Sequence, residues 1–284
     1  MSIRSNSRNK AWFPRRNLVK INNYCTIPLS PYIYVTVMPI IKTAILLILF
    51  AINSSAISAG NTTIDSFNKA KKTLEKEVYQ DHRVTLYCEA PFDDQKNVQH
   101  PDGFVTTKHN KRSKKVEWEH VVPAQNFGQA FREWRDGNEK CVNSKGKSYK
   151  GRRCAEKVNQ EYRYMQADMH NLFPAIGAVN ALRSNYNFTM LPEEKSNFGS
   201  CDMRIHDRKA QPPVAARGRI ARTYMYMETT YPKYKMSKQQ RQLMKAWDKQ
   251  DPISKWECIR SKRIEKLQGN TNTIVNSRCD IAVF

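Results

Sequence analysis

Glu119 and His120 stand side by side in the stretch Val116-Glu117-Trp118-Glu119-His120-Val121-Val122-Pro123-Ala124. A carboxylate beside an imidazole offers an oxygen ligand for a hard cation and a base that titrates near neutral pH. That pairing suits metal-assisted hydrolysis. A strand-end salt bridge or a surface histidine would read the same way in isolation, so the elements around the pair must decide. Apolar and charged residues alternate from Val116 to His120, as in a half-buried strand, and Pro123 has no N–H to give a sheet ladder. The strand therefore ends just past the pair, where a rigid element holds side chains that remain reachable. Strand neighbours face opposite sides, so convergence of Glu119 and His120 on one ion predicts a twist or bulge there.

The whole chain of 284 residues carries a formal charge of +22 and a pI near 9.8. Such a surplus points to a polyanionic partner, because each phosphate met by Lys or Arg releases counterions. An acidic membrane surface is the competing polyanion. The basic segments, however, have aromatics interleaved and no long amphipathic anchor stands among them. The apolar run AILLILFAI (residues 44–52), preceded by Lys42 and followed by small residues, has the layout of a secretory signal peptide and is too short to span a membrane. Cleavage is expected between Ala56 and Gly60. Residues 1–37 hold six Lys or Arg and no acidic residue, and Met38 heads a signal peptide of ordinary length. The expected organisation is an upstream extension (1–37), a signal peptide starting at Met38 (38–59) and one mature domain (60–284), with a genuinely long basic leader as the alternative. From Met38 onward the charge is still +16.

Export changes how the cysteines read. Cys25 lies upstream, leaving Cys88, Cys141, Cys154, Cys201, Cys258 and Cys279, an even set that implies disulfides in an oxidising compartment. No CxxC spacing occurs, which argues against a zinc cluster. Cys141 with Cys154 would close a short basic loop; the other four are left unpaired at this level.

The mature part is long enough for one sizeable core, without repeats or a Gly/Pro/Ser linker. Phe67, Ala70, Leu74 and Val78 recur at helical spacing, followed by a short strand at residues 84–87. Residues 108–115 pack five Lys or Arg just before the Glu-His strand, and the loop at residues 135–154 nets +5. Helices are expected after Pro123 through Phe131, over residues 156–165, from Pro174 through Ile176, Val179 and Arg183, and over VAARGRIARTYMYM before Pro232. Ser237 with Gln240 and Ser254 with Glu257 are capping-box signatures for two last helices, the second stopped by Gly269. The fold class is α+β: one helix-rich domain with a small sheet. Tyr224, Met225, Tyr226 and Met227 read as core, and His82, His100, His109 and His206 as solvated.

Four blocks, VEWEHVVPAQNFG, DMHNLFPAIGAVN, ARGRIARTYMYM and WECIRSKRIEKLQGN, resemble in order and spacing the bacterial endonuclease I family of periplasmic and secreted nucleases. The resemblance covers roughly residues 79–279. It implies a ββα-metal (His-Me finger) active site in a mixed, helix-rich domain, cutting DNA and often RNA with Mg²⁺ and little sequence preference, to give 5'-phosphate ends. Carried over block by block, Glu119 is a metal ligand, His120 the general base and Asn180 the second protein ligand of one Mg²⁺ ion. Asn171 rivals Asn180 on residue type alone, and His170 reads as a packing residue. Two departures stand out: Ala178 and Gln166 occupy positions where relatives often carry acids. The arginine that helps stabilise the transition state in relatives has no clean counterpart in DGNEKC, leaving Arg135 and Lys140 as the nearest candidates. Arg217 and Arg222, with Arg219 between them, are candidate phosphate contacts.

The expected protein is thus a periplasmic or secreted monomeric nuclease with no membrane attachment after cleavage. A non-catalytic secreted nucleic-acid-binding protein and a hydrolase of another phosphodiester are the rivals. No base-reading motif is present, which fits contacts to the backbone.

Overall fold

The alternation at residues 116–120 does form a strand. The computed structural model describes residues 60–282; the expected extension, start at Met38 and signal segment lie outside the described residues. In chain order, α1 (Phe67–Thr73) runs on as a π-helical turn over Leu74–Val78, and the short α2 (Asn110–Ser113) precedes β1 (Val116–His120). Then come α3 (Ala124–Gly128), α4 (Arg132–Arg135), α5 (Arg152–Val158) and α6 (Gln160–Gln166). β2 (Leu172–Ile176) leads directly into α7 (Gly177–Arg183). The short strands β3 (Asn187–Phe188), β4 (Arg204–His206) and β5 (Lys209–Gln211) follow, then α8 (Arg217–Thr230), α9 (Lys238–Gln250), α10 (Lys255–Gln268) and α11 (Thr273–Cys279). The α+β, helix-rich expectation therefore holds.

β1 and β2 pair antiparallel, from Val116 with Ile176 to His120 with Leu172. Pairing is unbroken through His120, so of the twist or bulge expected there the bulge is absent. Trp118 and His120 share one face of the ribbon with Leu172, while Glu117 and Glu119 share the other with Phe173 and Ala175, as the pleat requires. On the first side a core of Leu74, Val78, Tyr79, Trp118, Leu172 and Ile264 joins α1 and its π-turn to the sheet and α10. The larger core gathers Phe127, Tyr162, Phe173, Val179, Tyr224 and Trp247 from α3, α6, β2, α7, α8 and α9.

Pro174 does not open a helix. It lies in the middle of β2 opposite Trp118. The flanking bonds from Gly177 N to Lys115 O and from Val121 N to Asn171 O put the Trp118–Pro174 pair in the non-hydrogen-bonded register, where β1 asks for no N–H. The strand expected at residues 84–87 reduces to a single bridge, Val84 with Pro91, and Leu86 N donates to Pro174 O at 2.8 Å. The helix expected over residues 156–165 is broken at Asn159, whose side chain caps α6 by accepting from Tyr162 N, and the one after Pro123 stops at Gly128. Both serines cap their helices, Ser237 accepting from Gln240 N and Ser254 from Glu257 N, without the reciprocal side-chain bond of a full capping box. Gly269 ends α10 at φ 83°, a left-handed conformation that favours glycine.

Three disulfides close the fold: Cys141–Cys154 as expected, with Cys88–Cys201 and Cys258–Cys279 completing the set. Among the described residues no helix is long and apolar enough to cross a membrane.

Candidate active site

The end of β1, α1, α3, the start of α5 and the end of α7 border one groove of about 900 Å³. Its floor is formed by β1 and α7, which β2 joins. Residues 117 and 119 are two apart on a strand, and residues 180 and 183 are three apart on a helix, so each pair points one way. The pairs meet. Asn180 Nδ2 donates to Glu117 Oε2 at 2.8 Å, and Arg183 Nη1 donates to Glu119 Oε1 at 2.7 Å. Gly177, the first residue of α7, permits this approach: a Cβ there would stand 2.5 Å from Arg112 O and 2.9 Å from Glu117 Oε1.

Arg183 is fully buried. Besides Glu119 it donates to His120 O at 2.8 Å and to Val121 O at 2.7 Å, satisfying carbonyls that the ending strand leaves unpaired. Burial opposes its charge, but Glu119, Tyr87 and Tyr224 together hold the guanidinium above its usual pKa. Burial pushes the Glu119 carboxyl up, against the Arg183 charge and the hydrogen bond that Tyr87 donates to Oε1 at 2.7 Å. Oε1 is thus doubly engaged. No described residue donates to Glu119 Oε2, and Glu119 borders the groove.

His120 lies on the opposite face, against the α1 side. Its Nε2 is 2.8 Å from the backbone carbonyl of Gln166. A carbonyl only accepts, so Nε2 carries the proton and Nδ1 keeps its lone pair. Burial, then the nearby Arg152 charge, pulls the imidazole down to about 3, so it is neutral at physiological pH. The Phe67 ring packs on it at 4.8 Å between centroids.

Gln166, where relatives often have an acid, is fully employed. Its Oε1 accepts from Arg152 Nε at 2.8 Å and Tyr162 OH at 3.0 Å, while its Nε2 donates to Glu156 Oε1 at 3.1 Å. One residue thereby places both His120 and Arg152. Ala178 is wholly buried in the core.

The sequence-level candidates separate cleanly. Glu119, His120 and Asn180 all border the groove. Asn171 is a structural residue: its side chain accepts from Val122 N at 2.8 Å and donates to Val122 O at 3.0 Å. His170 is buried beside Tyr226, as expected of a packing residue. Arg135 and Lys140 are exposed and do not border the groove. Arg135 donates to Gln129 O at 2.6 Å. Arg222 is no phosphate contact, being buried in ion pairs with Glu257 at 2.7 Å and Asp248 at 3.1 Å. Arg217 lies over Trp247, also away from the groove. His100, His109 and His206 are exposed, as expected, whereas His82 is half-buried and stacks on Trp256. Tyr224, Tyr226 and Met227 are core residues, as expected.

Sequence reasoning missed Arg152, Arg183 and Glu117. Arg152 sits at the far end of the basic loop, where the Cys141–Cys154 link and α5 turn it back to the groove. Arg183 had a signal: it lies three residues beyond Asn180, on the same helix face.

The donor set beside Glu119 fits a hard cation. Asn180 gives its NH₂ to Glu117, which is itself held by Arg112 Nε at 2.7 Å. The carboxamide is thereby oriented with Oδ1 unused by any described donor. One open carboxylate oxygen and one open amide oxygen are hard ligands of the kind Mg²⁺ accepts while keeping several waters. Among the described residues no three His, Cys, Asp or Glu assemble into a cage.

A family model described as Endonuclease I matches residues 51–279. An extracellular deoxyribonuclease of Aeromonas hydrophila is 41% identical over 223 residues, covering 76% of this chain and 90% of the relative. A periplasmic deoxyribonuclease of the same organism is 39% identical over 221 residues, covering 75% and 86%. Endonuclease-1 of Buchnera aphidicola subsp. Acyrthosiphon pisum is 34% identical over 223 residues, covering 76% and 83%.

Proposed function

Because the chain belongs to the endonuclease I family, we propose that it is a periplasmic or secreted Mg²⁺-dependent endonuclease that hydrolyses DNA, and RNA as well, at this groove. The reading takes the β1–β2–α7 unit as a ββα-metal site and the products as 5'-phosphate ends. The observation that carries it is the His120 ring, whose Nε2 is committed to Gln166 O and whose Nδ1 is free in a groove shared with Glu119 and Asn180.

Each residue then has a task. His120 accepts a proton from water at Nδ1 as the water attacks phosphorus. Arg152, held at Nε by Gln166, offers its terminal nitrogens to the phosphate; donors fixed beforehand stabilise charge that develops in the transition state. A phosphate beside Arg152 also offsets the positive charge that depresses His120, making the imidazole a stronger base where substrate is bound. Glu119 and Asn180 would hold Mg²⁺, which when bound neutralises the phosphate and the departing 3' oxygen. Arg183 and Glu117 position those two ligands. The groove walls present Lys71, Lys72, Lys96 and Arg152, contacts for a backbone and not for base edges.

The test is nicking of a supercoiled plasmid by the oxidised mature protein. Cutting is expected with Mg²⁺ and lost with EDTA. His120→Ala should reduce it by about 10²–10⁴-fold while DNA binding persists. Wild type that binds DNA yet never cuts it with any divalent ion would establish the binding-protein alternative instead.

A further inference from the structure

Phe67 on α1 is shared by three groups. Its ring contacts His120 at 4.8 Å between centroids, Lys71 Nζ lies 4.6 Å from its centroid, and Arg152 Cζ lies 5.2 Å from it. Lys71 is the next turn of the same helix, at i+4, and so comes over the ring as helical geometry dictates. Arg152 arrives from α5. All of them border the groove.

Neither cation has a direct ion pair among the described residues, although Glu156, held by the Gln166 amide that also accepts from Arg152, acts on Lys71 across space. Lys96 is paired with Glu75 at 3.2 Å, but among the described residues no carboxylate lies within ion-pairing distance of Lys71 or Arg152. Burial, then the charges of Lys96 and Arg152, lowers the pKa of the Lys71 ammonium. A lysine and an arginine held together on one ring repel each other unless an anion joins them, and the aromatic face compensates only part of that cost. Glu156 offsets part of this charge without pairing directly with either cation, so the two cations are left able to take an anionic ligand.

Accepting the nuclease reading, on which this rests, Arg152 meets the phosphate to be cut. We propose that Lys71, supported by Phe67, is a second phosphate-binding site, so that the groove grips two consecutive phosphates of one substrate strand. Phe67 acts as a positioning residue that spaces the two cations and steadies the His120 ring.

The experiment measures binding of a fluorescein-labelled DNA oligonucleotide by anisotropy, in EDTA so that nothing is cut, over a series of salt concentrations. One lost phosphate contact reduces the slope of log K against log salt by about 0.7–0.9. Lys71→Gln should show that loss and Lys71→Arg should restore the slope. Lys262→Gln, the same charge change on the exposed face of α10, should leave it unaltered. Thermal melts of each variant establish that the fold is kept. A slope unchanged in Lys71→Gln, or reduced equally in Lys262→Gln, overturns the second site while plasmid nicking by wild type still stands. Wild type that neither binds nor nicks overturns the nuclease reading itself, and this proposal with it.

Discussion

Arg183→Met should be among the most damaging single substitutions outside the apolar core. The guanidinium and the Glu119 carboxylate are almost fully buried, at 0% and 3% exposure, and removing one partner of a buried pair costs about 3–5 kcal/mol. Methionine also abandons the carbonyls of His120 and Val121, so about 4 kcal/mol is a fair central value. For a domain of this size that corresponds to a fall in Tm of roughly 10 °C. Glu119→Gln alone should cost about 3 kcal/mol by stranding the arginine. The double variant removes both charges and should be no worse than Arg183→Met. The assay is urea unfolding in EDTA with the disulfides intact. In Arg183→Met the Glu119 carboxyl, already raised by burial, rises further. A raised carboxyl contributes stability below its unfolded pKa and loses it as pH rises, so the deficit should shrink as pH falls toward about 4.5. Additivity of the two substitutions within about 0.5 kcal/mol, or a deficit independent of pH, would refute the coupling.

Arg152→Ala should lower kcat for plasmid nicking by about 10²–10³-fold, with Arg135→Ala and Lys140→Ala near wild type; equal losses at all three would remove Arg152 from its special place. His170 is buried and held down to about 4, so folding excludes its proton. Stability from this exclusion is complete above the unfolded pKa near 6.5 and is lost as pH falls toward 4, by about 3 kcal/mol. His170→Phe should therefore flatten the pH dependence of Tm between 6.5 and 4, and parallel curves would contradict it. Ser184, at φ 53° and ψ −127°, occupies backbone space that side chains avoid. Ser184→Gly should stabilise by about 1 kcal/mol after the entropic cost of glycine, and an unchanged or lower Tm would show that the strain is absent.

The parts of the fold written in local chemistry were legible. Alternation marked β1, helical spacing marked α1, and serines three residues ahead of Gln240 and Glu257 marked the starts of α9 and α10. Pro174 misled because its missing N–H reads as a helix start, whereas its tolerance in β2 depends on which register faces β1. The same limit applied at the site. Glu119 and His120 were visible as neighbours, and family blocks supplied Asn180. Arg152 and Phe67 reach His120 from distant segments through packing and a disulfide, neither of which leaves a periodic trace. Convergence needed no bulge: the ribbon ends at the groove, so side chains from both faces border the same space.

Asp168 is buried and does not border the groove. One oxygen accepts from Tyr226 OH and Tyr231 OH at 2.6 and 2.5 Å, the other from His170 N and the Gln268 amide. The Tyr231 hydroxyl in turn receives Asn61 N at 3.0 Å. One carboxylate therefore ties residue 61 to residue 268, the start of the described chain to the end of its penultimate helix. Contacts spanning so much sequence must wait for the late residues to exist. The α1 wall that carries Phe67 and Lys71 follows directly on Asn61, and its core partner Ile264 lies on the same late helix. A chain made from its N-terminus thus holds every residue that borders the groove before it has the helix on which the α1 wall packs, and a C-terminal truncation before α10 would loosen that wall without removing any residue that borders the groove.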